Sequence, residues 1–494
     1  MSSGRGLPAW LVLPALVVGG TLVACGIGML VCAGVGFVGD GREIVALAVP
    51  GAATLVIGVL MVRHAGRRAP STLTIRPVNG FAAVTFAWVA AAAVGAIPLL
   101  AAGTFSSPLD AYFEAMSGFT TTGSTLLEEM EVEPDAVLLW RSTMQLLGGV
   151  GIVVLVVAVA PVSFAGMQRA FYAEASGVTA ERLTPRIVDT AKIIASLYAA
   201  LTLACGVGYA IAGMGAFDAV NHAFTTVATG GFSPRTASIG FFDSVAIETI
   251  AMVFMVAGAI NFAFYWRAIR GGPLMPQLAE VRAYLAILLL SIAAVTLSVV
   301  LADDAGNVAD SLRQSAFSVV TVATDTGYVT ADFDLFNDFA RIVLVVLMVI
   351  GGCAGSTAGG IKVIRALLLA KSGWQEVNRQ VQPSAIQVLR LGGHPFSEEI
   401  RRAVFAFFLV YVLTFLTGTL AFGASGLDPV TAISGTAATL NMVGPGLEEV
   451  GAHESFEAFS PFARAVGATL MLIGRLEIFT VVALLAALVR VYRR

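Results

Sequence analysis

The sequence predicts an all-α polytopic membrane protein, in which one helical unit recurs four times behind an N-terminal two-helix hairpin. Three observations support this fold class. Of the 494 residues, 57% are hydrophobic and 12% are charged, and the mean hydropathy is +0.86, which is unlike soluble domains of this size. Apolar stretches approach the roughly 20 residues that a membrane helix needs. A glycine-containing motif recurs roughly every hundred residues, as in a duplicated unit.

Ten apolar stretches are predicted to be membrane spans. They lie near residues 10–37, 43–62, 78–101, 137–161, 188–212, 244–268, 281–302, 336–370, 402–425 and 462–489. The first is longer than the core of a secretory signal and a second span follows at once, so residues 1–70 are expected to remain as a transmembrane hairpin. Cys25, Cys32, Cys205 and Cys353 all lie in apolar stretches, which indicates buried thiols rather than disulfides or a metal site.

The charges alternate in sign along the chain. Basic residues cluster in the segments 63–76, 169–192, 267–282, 362–402 and 490–494. Acidic residues dominate the segments 110–135, 303–338 and 428–457. By the positive-inside rule the basic segments are cytoplasmic, so the acidic ones face outside.

The recurring motif is clearest in its first copy, Ser117-Gly-Phe-Thr-Thr-Thr-Gly123. Weaker copies end at Gly231, Gly327 and Gly444, and the four glycines are separated by 108, 96 and 117 residues. A segment too short to cross a bilayer precedes each glycine. Threonine and glycine are also common where membrane helices pack, which would explain any single copy. Four copies in one orientation favour a shared structural role.

These copies suit re-entrant turns around one axis. Glycine can hold backbone angles that turn neighbouring carbonyls inward, and a ring of carbonyl oxygens can replace the hydration shell of a cation. Each half-length helix would also direct its negative C-terminal end at the centre. The sequence therefore predicts four membrane-helix/pore-loop/membrane-helix repeats around one cation-selective pore. The predicted repeats are residues 77–165, 185–272, 279–380 and 397–494.

A glycine-rich stretch interrupts the last span of the third repeat. The spacing of Gly351, Gly355 and Gly359 fits a close-packing helix face. Five glycines in ten residues, each costing up to about 1 kcal/mol of helix propensity, favour a broken helix and a mobile loop beneath the ring instead. The residues predicted to form this loop are Gly351, Gly352, Gly355, Gly359, Gly360 and Lys362.

The last span contains Arg475 and Glu477. Charges at membrane depth cost at least about 2.5 kcal/mol and are usually functional or paired. The two residues are two positions apart and so point to different faces of a helix. Arg475 could be an interfacial arginine that reaches water. We favour a position bordering the pore below the ring, where its charge would weaken cation binding.

Together these residues resemble the Trk/Ktr/HKT superfamily of potassium transporters, and most closely its TrkH branch. The resemblance covers nearly the whole chain, including the N-terminal hairpin. Its most specific motifs are Ser117 to Gly123, Trp140-Arg-Ser-Thr-Met-Gln-Leu-Leu-Gly-Gly149, Gly351 to Lys362, Leu440-Asn-Met-Val-Gly-Pro-Gly446 and Gly474-Arg-Leu-Glu-Ile478. The resemblance implies K+ uptake, a homodimer with one pore per subunit, and a multi-pass location in the bacterial inner (plasma) membrane.

The resemblance also assigns roles to individual residues. Gly123, Gly231, Gly327 and Gly444 take the places of the selectivity-filter glycines. The backbone carbonyls that would line the K+ sites belong to Thr121, Thr122, Thr229, Gly230, Asp325, Thr326, Met442 and Val443. Gly123 is similar to the K+-selective members rather than to those with serine there. The loop from Gly351 is similar to the family's intramembrane gate, and Arg475 to its pore-facing arginine. Asp325 departs from the family pattern, in which a small or hydroxyl residue is usual.

The resemblance further implies a cytosolic, TrkA-like nucleotide-binding ring that sets the gate. The polar segment 371–402 and the basic C-terminus are candidate docking surfaces, although ordinary positive-inside loops would look the same. We expect no cofactor in this chain apart from K+ as the transported ion, membrane lipid around it, and no nucleic acid partner.

The main alternative function is a proton- or sodium-coupled secondary active transporter. Such transporters often use inverted repeats and intramembrane relays of ionisable groups, whereas the four copies share one orientation and few ionisable residues lie at membrane depth. A receptor or scaffold would leave the four turns unexplained. An enzyme is not expected, because no nucleophile, base and orienting group cluster at recognisable spacing.

Overall fold

The computed structural model describes residues 9–35, 42–68, 77–163, 187–272, 275–302, 307–383, 390–392, 394–482 and 484. Several features predicted from the sequence lie outside these ranges. They are the connection between the first two spans, most of the basic segment 169–192, and the basic C-terminus 490–494. The outermost boundaries of the predicted hairpin and of several repeats also lie there.

The described residues fold almost entirely as α-helices. These are α1 (Ala9–Val35), α2 (Arg42–Arg67), α3 (Pro77–Ala102), α4 (Pro108–Thr120), α5 (Asp135–Ser163), α6 (Ile187–Ile211), α7 (Ala216–Val227), α8 (Val245–Gly258), α9 (Phe262–Arg270), α10 (Met275–Leu301), α11 (Val308–Ala323), α12 (Asp338–Ile350), α13 (Val363–Val381), α14 (Glu398–Ala424), α15 (Pro429–Leu440) and α16 (Pro461–Arg475). A two-residue antiparallel hairpin, β1 (Arg390–Leu391) with β2 (His394–Pro395), joins α13 to α14.

Four units of the same design follow the α1–α2 hairpin. Each consists of a long helix, a half-length helix, a turn and a further helix: α3 to α5, α6 to α9, α10 to α13, and α14 to α16. The predicted all-α membrane fold is confirmed. The hairpin packs against the first unit, where Cys32 Sγ lies 3.4 Å from Thr143 Oγ1. All four cysteines are free and buried, as predicted.

Six helices within the described ranges are long and apolar enough to span a membrane, and a seventh span results if α8 and α9 are counted together. The prediction of ten single spans is therefore too simple. The predicted spans near 244–268 and 336–370 are each two helices, since α8 and α9 meet at 88° and α12 ends at Ile350. The last span also breaks, because α16 ends at Arg475 and Glu477 has a positive φ of 52°.

The half-length helices α4, α7, α11 and α15 begin at the acidic face of the protein and end near its centre. Local sequence sets their starts: Pro108 and Pro429 occupy first-turn positions that need no amide hydrogen. The Asn307 and Asp428 side chains accept hydrogen bonds from the first free amides of α11 and α15. Each helix therefore directs its partly negative C-terminal end inward.

Polar contacts at the acidic face join each unit to the next, and we call these four junctions the seams. Thr236 of the second unit accepts from Met130 N of the first at 2.8 Å. The other seams are arginine ion pairs: Arg313 with Glu248 at 2.7 Å, Arg341 with Glu448, and Arg464 with Asp110 at 2.7 Å. The last pair joins the fourth unit to the first, so the four units close into a ring.

Candidate functional site

Four turns with the same backbone geometry lie where the half-length helices end. Two residues before each glycine stands a non-glycine residue in the left-handed region, which is a strained conformation for such residues. These residues are Thr121, Thr229, Asp325 and Met442, with φ of 57°, 50°, 56° and 63°. The glycines Gly123, Gly231, Gly327 and Gly444 have φ of 87°, 78°, 77° and 99°. Unrelated side chains at the first position thus hold one backbone shape.

The same hydrogen bond fixes the middle residue of each turn. Its amide donates to the carbonyl five residues earlier, at 2.9 Å in all four copies. The pairs are Thr122 with Ser117, Gly230 with Thr225, Thr326 with Thr321, and Val443 with Ala438. This bond closes the end of the half-length helix and leaves the carbonyl of the middle residue free to point elsewhere.

Those carbonyls meet the glycines of neighbouring turns. A Cβ atom added to Gly123 would lie 2.3 Å from Gly230 O, and one added to Gly231 would lie 2.0 Å from Thr326 O. Likewise, one added to Gly327 would lie 2.0 Å from Val443 O, and one added to Gly444 2.9 Å from Thr122 O. The turns therefore follow one another head to tail around a single closed ring.

A cavity of about 310 Å³ lies over this ring, and all four of the turn glycines line it. Glu128 and Glu454 also line the cavity. The two arginines that line it, Arg141 and Arg235, are paired with Glu114 and Asp218, so the remaining charge at its mouth is acidic. A hydrogen bond with Glu457 and repulsion from that carboxylate raise the pKa of Glu128. An acidic mouth over a ring of carbonyl oxygens attracts cations.

The second turn is braced by Gln145 of α5, which is fully buried. Gln145 Nε2 donates to Gly230 O at 2.6 Å, and its Oε1 accepts from Phe232 N at 3.1 Å. One side chain thus fixes both sides of Gly231. Gln145 lies in one of the family motifs, but nothing in its spacing along the sequence shows which turn it faces.

The first turn rests on a buried ion pair between Glu114 of α4 and Arg141 of α5. Arg141 Nη2 and Nε lie 2.7 and 2.9 Å from Glu114 Oε1, and the two side chains are 1% and 0% exposed. Glu114 also accepts from Leu126 N at 3.0 Å and from Thr125 Oγ1 at 2.9 Å. This network ties the chain that leaves the turn back to α4. The pair was not predicted from the sequence, although Arg141 is the first lysine or arginine after Arg76.

Beneath the ring, residues 351–362 form an irregular segment that we call the glycine loop. The helix break predicted here is present, since α12 ends at Ile350 and Gly351 has a φ of 68°. Thr357 Oγ1 lies within hydrogen-bonding distance of Thr229 Oγ1, Val227 O and Gly258 O. The loop therefore packs directly under the second turn.

The loop also contacts the other units. A Cβ atom on Gly359 would lie 1.9 Å from Asn441 O, which precedes the fourth turn. Cys353 N donates to Ala259 O at 2.9 Å, and Ala354 N donates to the buried carboxylate of Glu280 at 2.7 Å. Gly352, Gly355 and Gly360 also lie in this loop, which ends where Lys362 precedes α13. The loop thus occupies the space under the ring with little room for larger residues.

Arg475 holds the loop from the fourth unit. Its Nη1 donates to Thr357 O at 2.9 Å and its Nη2 to Gly148 O of α5 at 3.1 Å. The residue is 2% exposed, so the alternative of an interfacial arginine that reaches water is wrong. Glu477 pairs instead with Arg365, at 2.6 Å. The sequence prediction that Arg475 and Glu477 do not neutralise each other agrees with these separate partners.

Asp325 turns its carboxylate towards the glycine loop. The residue is completely buried, and a Cβ atom on Gly351 would lie 2.9 Å from its Oδ2. The departure of Asp325 from the family pattern therefore does not put a carboxylate at the wall of the ion ring. The left-handed backbone at Asp325 sends the side chain down to the loop and away from the cavity above.

The third seam contains a carboxylate that is sensitive to pH. Burial raises the pKa of Asp334 to about 6 from 3.8, although Arg341 lies 3.5 Å away. A raised folded pKa gives stability that is fully present below about 3.8 and is lost as the pH rises through 6. We expect the melting midpoint in detergent to fall across this window, and to fall less in Asp334→Asn. Asp338→Asn, which changes an exposed carboxylate beside the same arginine, should keep the parent slope; equal slopes in all three proteins would contradict the prediction.

Comparison with known proteins decides the family. The model of the TrkH family, described as "Cation transport protein", matches residues 57–490. The chain belongs to the TrkH family. It is 40% identical over 438 residues to the Trk system potassium uptake protein TrkH of Halomonas elongata, covering 87% of this chain and 89% of that protein. It is 38% identical over 410 residues to TrkH of Escherichia coli K12, covering 82% and 84%.

A solved TrkH-family structure has the same fold. The crystal structure of the potassium transporter TrkH from Vibrio parahaemolyticus matches with a TM-score of 0.86 and 35% identity, covering 96% of this chain and 98% of that one. The TrkH relatives are named as transporters, so this chain is a transport protein and not an enzyme. It is a multi-pass protein of the plasma membrane.

Proposed function

We propose that the chain takes up K+ across the plasma membrane through one pore, with the four turns as its selectivity filter. The observation that carries this proposal is the closed ring, in which each glycine lies directly against a carbonyl oxygen of a neighbouring turn. Such oxygens can replace the water around a dehydrated cation. The names of the relatives, Trk system potassium uptake proteins, point to K+ as that cation. The membrane potential would drive uptake with about 2.3 kcal/mol per charge per 100 mV.

The proposed filter oxygens are the carbonyls of the two residues before each glycine. Thr122, Gly230, Thr326 and Val443 supply the carbonyls that approach the neighbouring glycines. The left-handed residues Thr121, Thr229, Asp325 and Met442 would supply the next layer below. We also keep the repeat boundaries 77–165, 185–272, 279–380 and 397–494 as proposals, with residues 1–70 as a peripheral hairpin.

We propose the glycine loop as the gate. It lies directly beneath the ring and is held by Arg475 through Thr357 O. Glycines at Gly351, Gly355 and Gly360, all with positive φ, lower the cost of changing its backbone conformation. The loop would block the pathway in the observed position and open it by moving aside.

A passive, gated pathway fits better than proton- or sodium-coupled symport. Coupling through a relay needs ionisable groups that can exchange their charge at membrane depth. Among the described residues, Glu114 is paired with Arg141, Glu477 with Arg365, and Glu280 accepts an amide. These partners fix the three carboxylates in place; Asp325, which is buried without a direct hydrogen-bond partner among the described residues, is the exception. Uptake that requires an inward proton or Na+ gradient would overturn this part of the proposal.

The finer assembly is also a proposal. We expect a homodimer and a cytosolic TrkA-like nucleotide-binding ring, as the family resemblance implies. The relatives' names, as parts of a Trk system, support an assembly of more than one component. Helix α13 offers an exposed apolar stripe of Trp374, Val377 and Val381 at which such a partner could dock. Native mass spectrometry of the purified chain, alone and with a co-expressed partner, tests both parts.

The function is tested by growth at low K+ in cells that lack their own K+ uptake systems. The parent chain should restore growth, with or without a co-expressed nucleotide-binding partner. Rubidium uptake into proteoliposomes gives the same answer without other cellular transporters. Absence of both growth and uptake would refute the proposed function while leaving the fold and family intact.

Arg475→Ala is expected to raise K+ flux. The substitution removes a fixed positive charge beneath the ring and the hydrogen bond that holds Thr357 O. A ten-fold increase requires lowering the barrier by only about 1.4 kcal/mol, a modest change for a buried charge. Rubidium uptake into proteoliposomes measures it, with Arg67→Ala as the control because Arg67 is exposed at the end of α2 in the peripheral hairpin. Equal flux in the parent and in Arg475→Ala would show that Arg475 is no barrier.

A further inference from the structure

Asp325 is the only one of the four left-handed turn residues with a charged side chain. The other three are Thr121, Thr229 and Met442. Asp325 is 0% exposed, and neither carboxylate oxygen has a direct hydrogen-bond partner among the described residues. A buried carboxylate in this condition is strongly destabilising unless nearby charges and dipoles compensate for it. The groups that compensate for the charge of Asp325 therefore identify the segment to which its side chain is attached.

The compensating groups all come from the glycine loop. The backbone N–H groups of Gly352 and Gly359 lie near the carboxylate of Asp325 without a direct hydrogen bond, and the ammonium of Lys362 acts on it from beyond ion-pair distance. The contact with the loop is close, since a Cβ atom on Gly351 would lie 2.9 Å from Oδ2. The charge of the third turn is thus balanced by a segment that lies beneath the ring.

Lys362 is itself held in a strained position. It is 6% exposed, and its φ of 80° is rare for a residue with a side chain. Its Nζ donates to Ala358 O, and its amide donates to Ile350 O at 3.0 Å. The charged groups that act on its ammonium are Glu477, Asp325, Arg475 and Arg365. Glu477 and Asp325 attract this ammonium from beyond ion-pair distance, while Arg475 and Arg365 repel it.

We propose that Asp325 is a positioning residue that fastens the glycine loop to the third turn of the filter. The loop cannot leave the pathway without separating Lys362 and the two glycine amides from this carboxylate. Their attraction therefore favours the closed position. Because Asp325 is also part of the filter backbone, movement of the loop changes the surroundings of the third turn directly. This inference rests on the proposed role of the loop as a gate.

The first test measures flux in proteoliposomes for Asp325→Asn, Lys362→Met and the double variant. Each single substitution should raise rubidium flux by about five-fold or more, the lower end of typical coupling between sites. The double variant should not exceed the larger single effect, since both substitutions remove the same attraction between Asp325 and Lys362. The ratio of K+ to Na+ flux should stay at the parent value. Asp338→Asn, at a residue that is 95% exposed at the start of α12, is the control and should match the parent.

The second test measures movement of the glycine loop directly and does not depend on whether the protein conducts ions. Cys353 is the loop's only cysteine and is fully buried. In a background with Cys25, Cys32 and Cys205 changed to alanine, its rate of modification by a cationic methanethiosulfonate reports how often the loop leaves its site. Both single variants should be modified several times faster than the background protein. Lys362→Met carries this test alone if Asp325→Asn does not fold.

The outcomes separate this inference from the proposed function. Unchanged Cys353 modification in both variants, or flux increases that multiply in the double variant, would overturn the fastening role. A changed ratio of K+ to Na+ flux with an unchanged rate of Cys353 modification would also overturn the fastening role. It would indicate that the Asp325 side chain acts on the permeating ion directly. Faster Cys353 modification in the variants, together with a parent protein that conducts no K+, would support the fastening contact while refuting K+ uptake.

Discussion

Replacing Gly327 with serine is expected to remove most of the preference for K+ over Na+. The new Cβ would lie 2.0 Å from Val443 O and 2.7 Å from Pro445 Cδ, and both are parts of the fourth turn. The carbonyl must move, and with it the spacing of the ring. A loss of only about 1.4 kcal/mol in differential binding lowers the selectivity ten-fold. Separate uptake of rubidium and sodium into proteoliposomes measures the ratio.

A matched substitution separates this clash from backbone strain. Gly103 has a φ of 85°, close to the 77° of Gly327, but a Cβ atom there would meet nothing within 4 Å. Gly103→Ser therefore introduces similar strain and no collision, and should keep the parent selectivity. If Gly327→Ser and Gly103→Ser behave alike, the ring is not the selectivity filter.

The four ring glycines should also differ from one another. Serine at Gly231 meets a carbonyl at 2.0 Å, at Gly123 at 2.3 Å, and at Gly444 at 2.9 Å. Selectivity should fall least for Gly444→Ser, since a shift of a few tenths of an ångström relieves that contact. An equal loss at all four positions would mean that glycine's backbone freedom matters more than its size.

Breaking the buried ion pair under the first turn should have the largest effect on stability. Removing one partner of such a pair typically costs about 3–5 kcal/mol, because it leaves an uncompensated buried charge. Arg141→Met leaves the Glu114 carboxylate with only an amide and a hydroxyl as donors. We expect a much lower melting midpoint in detergent, and poor recovery from the membrane.

The partner substitution makes this prediction specific to charge. Glu114→Gln combined with Arg141→Met removes both charges and keeps an acceptor for Leu126 N, so the double variant should melt above Arg141→Met alone. Arg401→Met serves as the control, since its pair with Glu398 is half-exposed and such pairs contribute about 0–1 kcal/mol. A double variant that is less stable than Arg141→Met would show that packing of the side chains, not charge compensation, dominates.

Much of the architecture could be predicted because its signals are local. The glycines Gly123 and Gly327 mark turns that require positive φ, and the half-length segments before them fall below the length of a membrane span. The glycine loop could be predicted from helix propensity alone. The break between α8 and α9 could not, because the residues from Ala259 to Asn261 carry no such concentration of glycine.

The contacts between units could not be predicted in the same way. Gln145 and Gly230, like Glu114 and Arg141, meet only after the helices have packed, and one sequence offers no measure of that distance. Asp325 shows the limit most clearly. Its position in the turn was evident from the motif, but the direction of its side chain depends on a φ of 56°, which the residue type does not specify.

The seam between the fourth and first units has a consequence for topology. Three joins of the ring are carried by the continuous chain, whereas this fourth join consists of noncovalent contacts alone. It is no less complete: Arg464 pairs with Asp110 at 2.7 Å, Ser124 Oγ donates to Gly444 O at 3.0 Å, and Phe456 N donates to Thr125 O at 2.8 Å. Covalent linkage is therefore not what closes the ring. A circularly permuted gene, in which another unit comes first, would encode the same four neighbours in the same cyclic order.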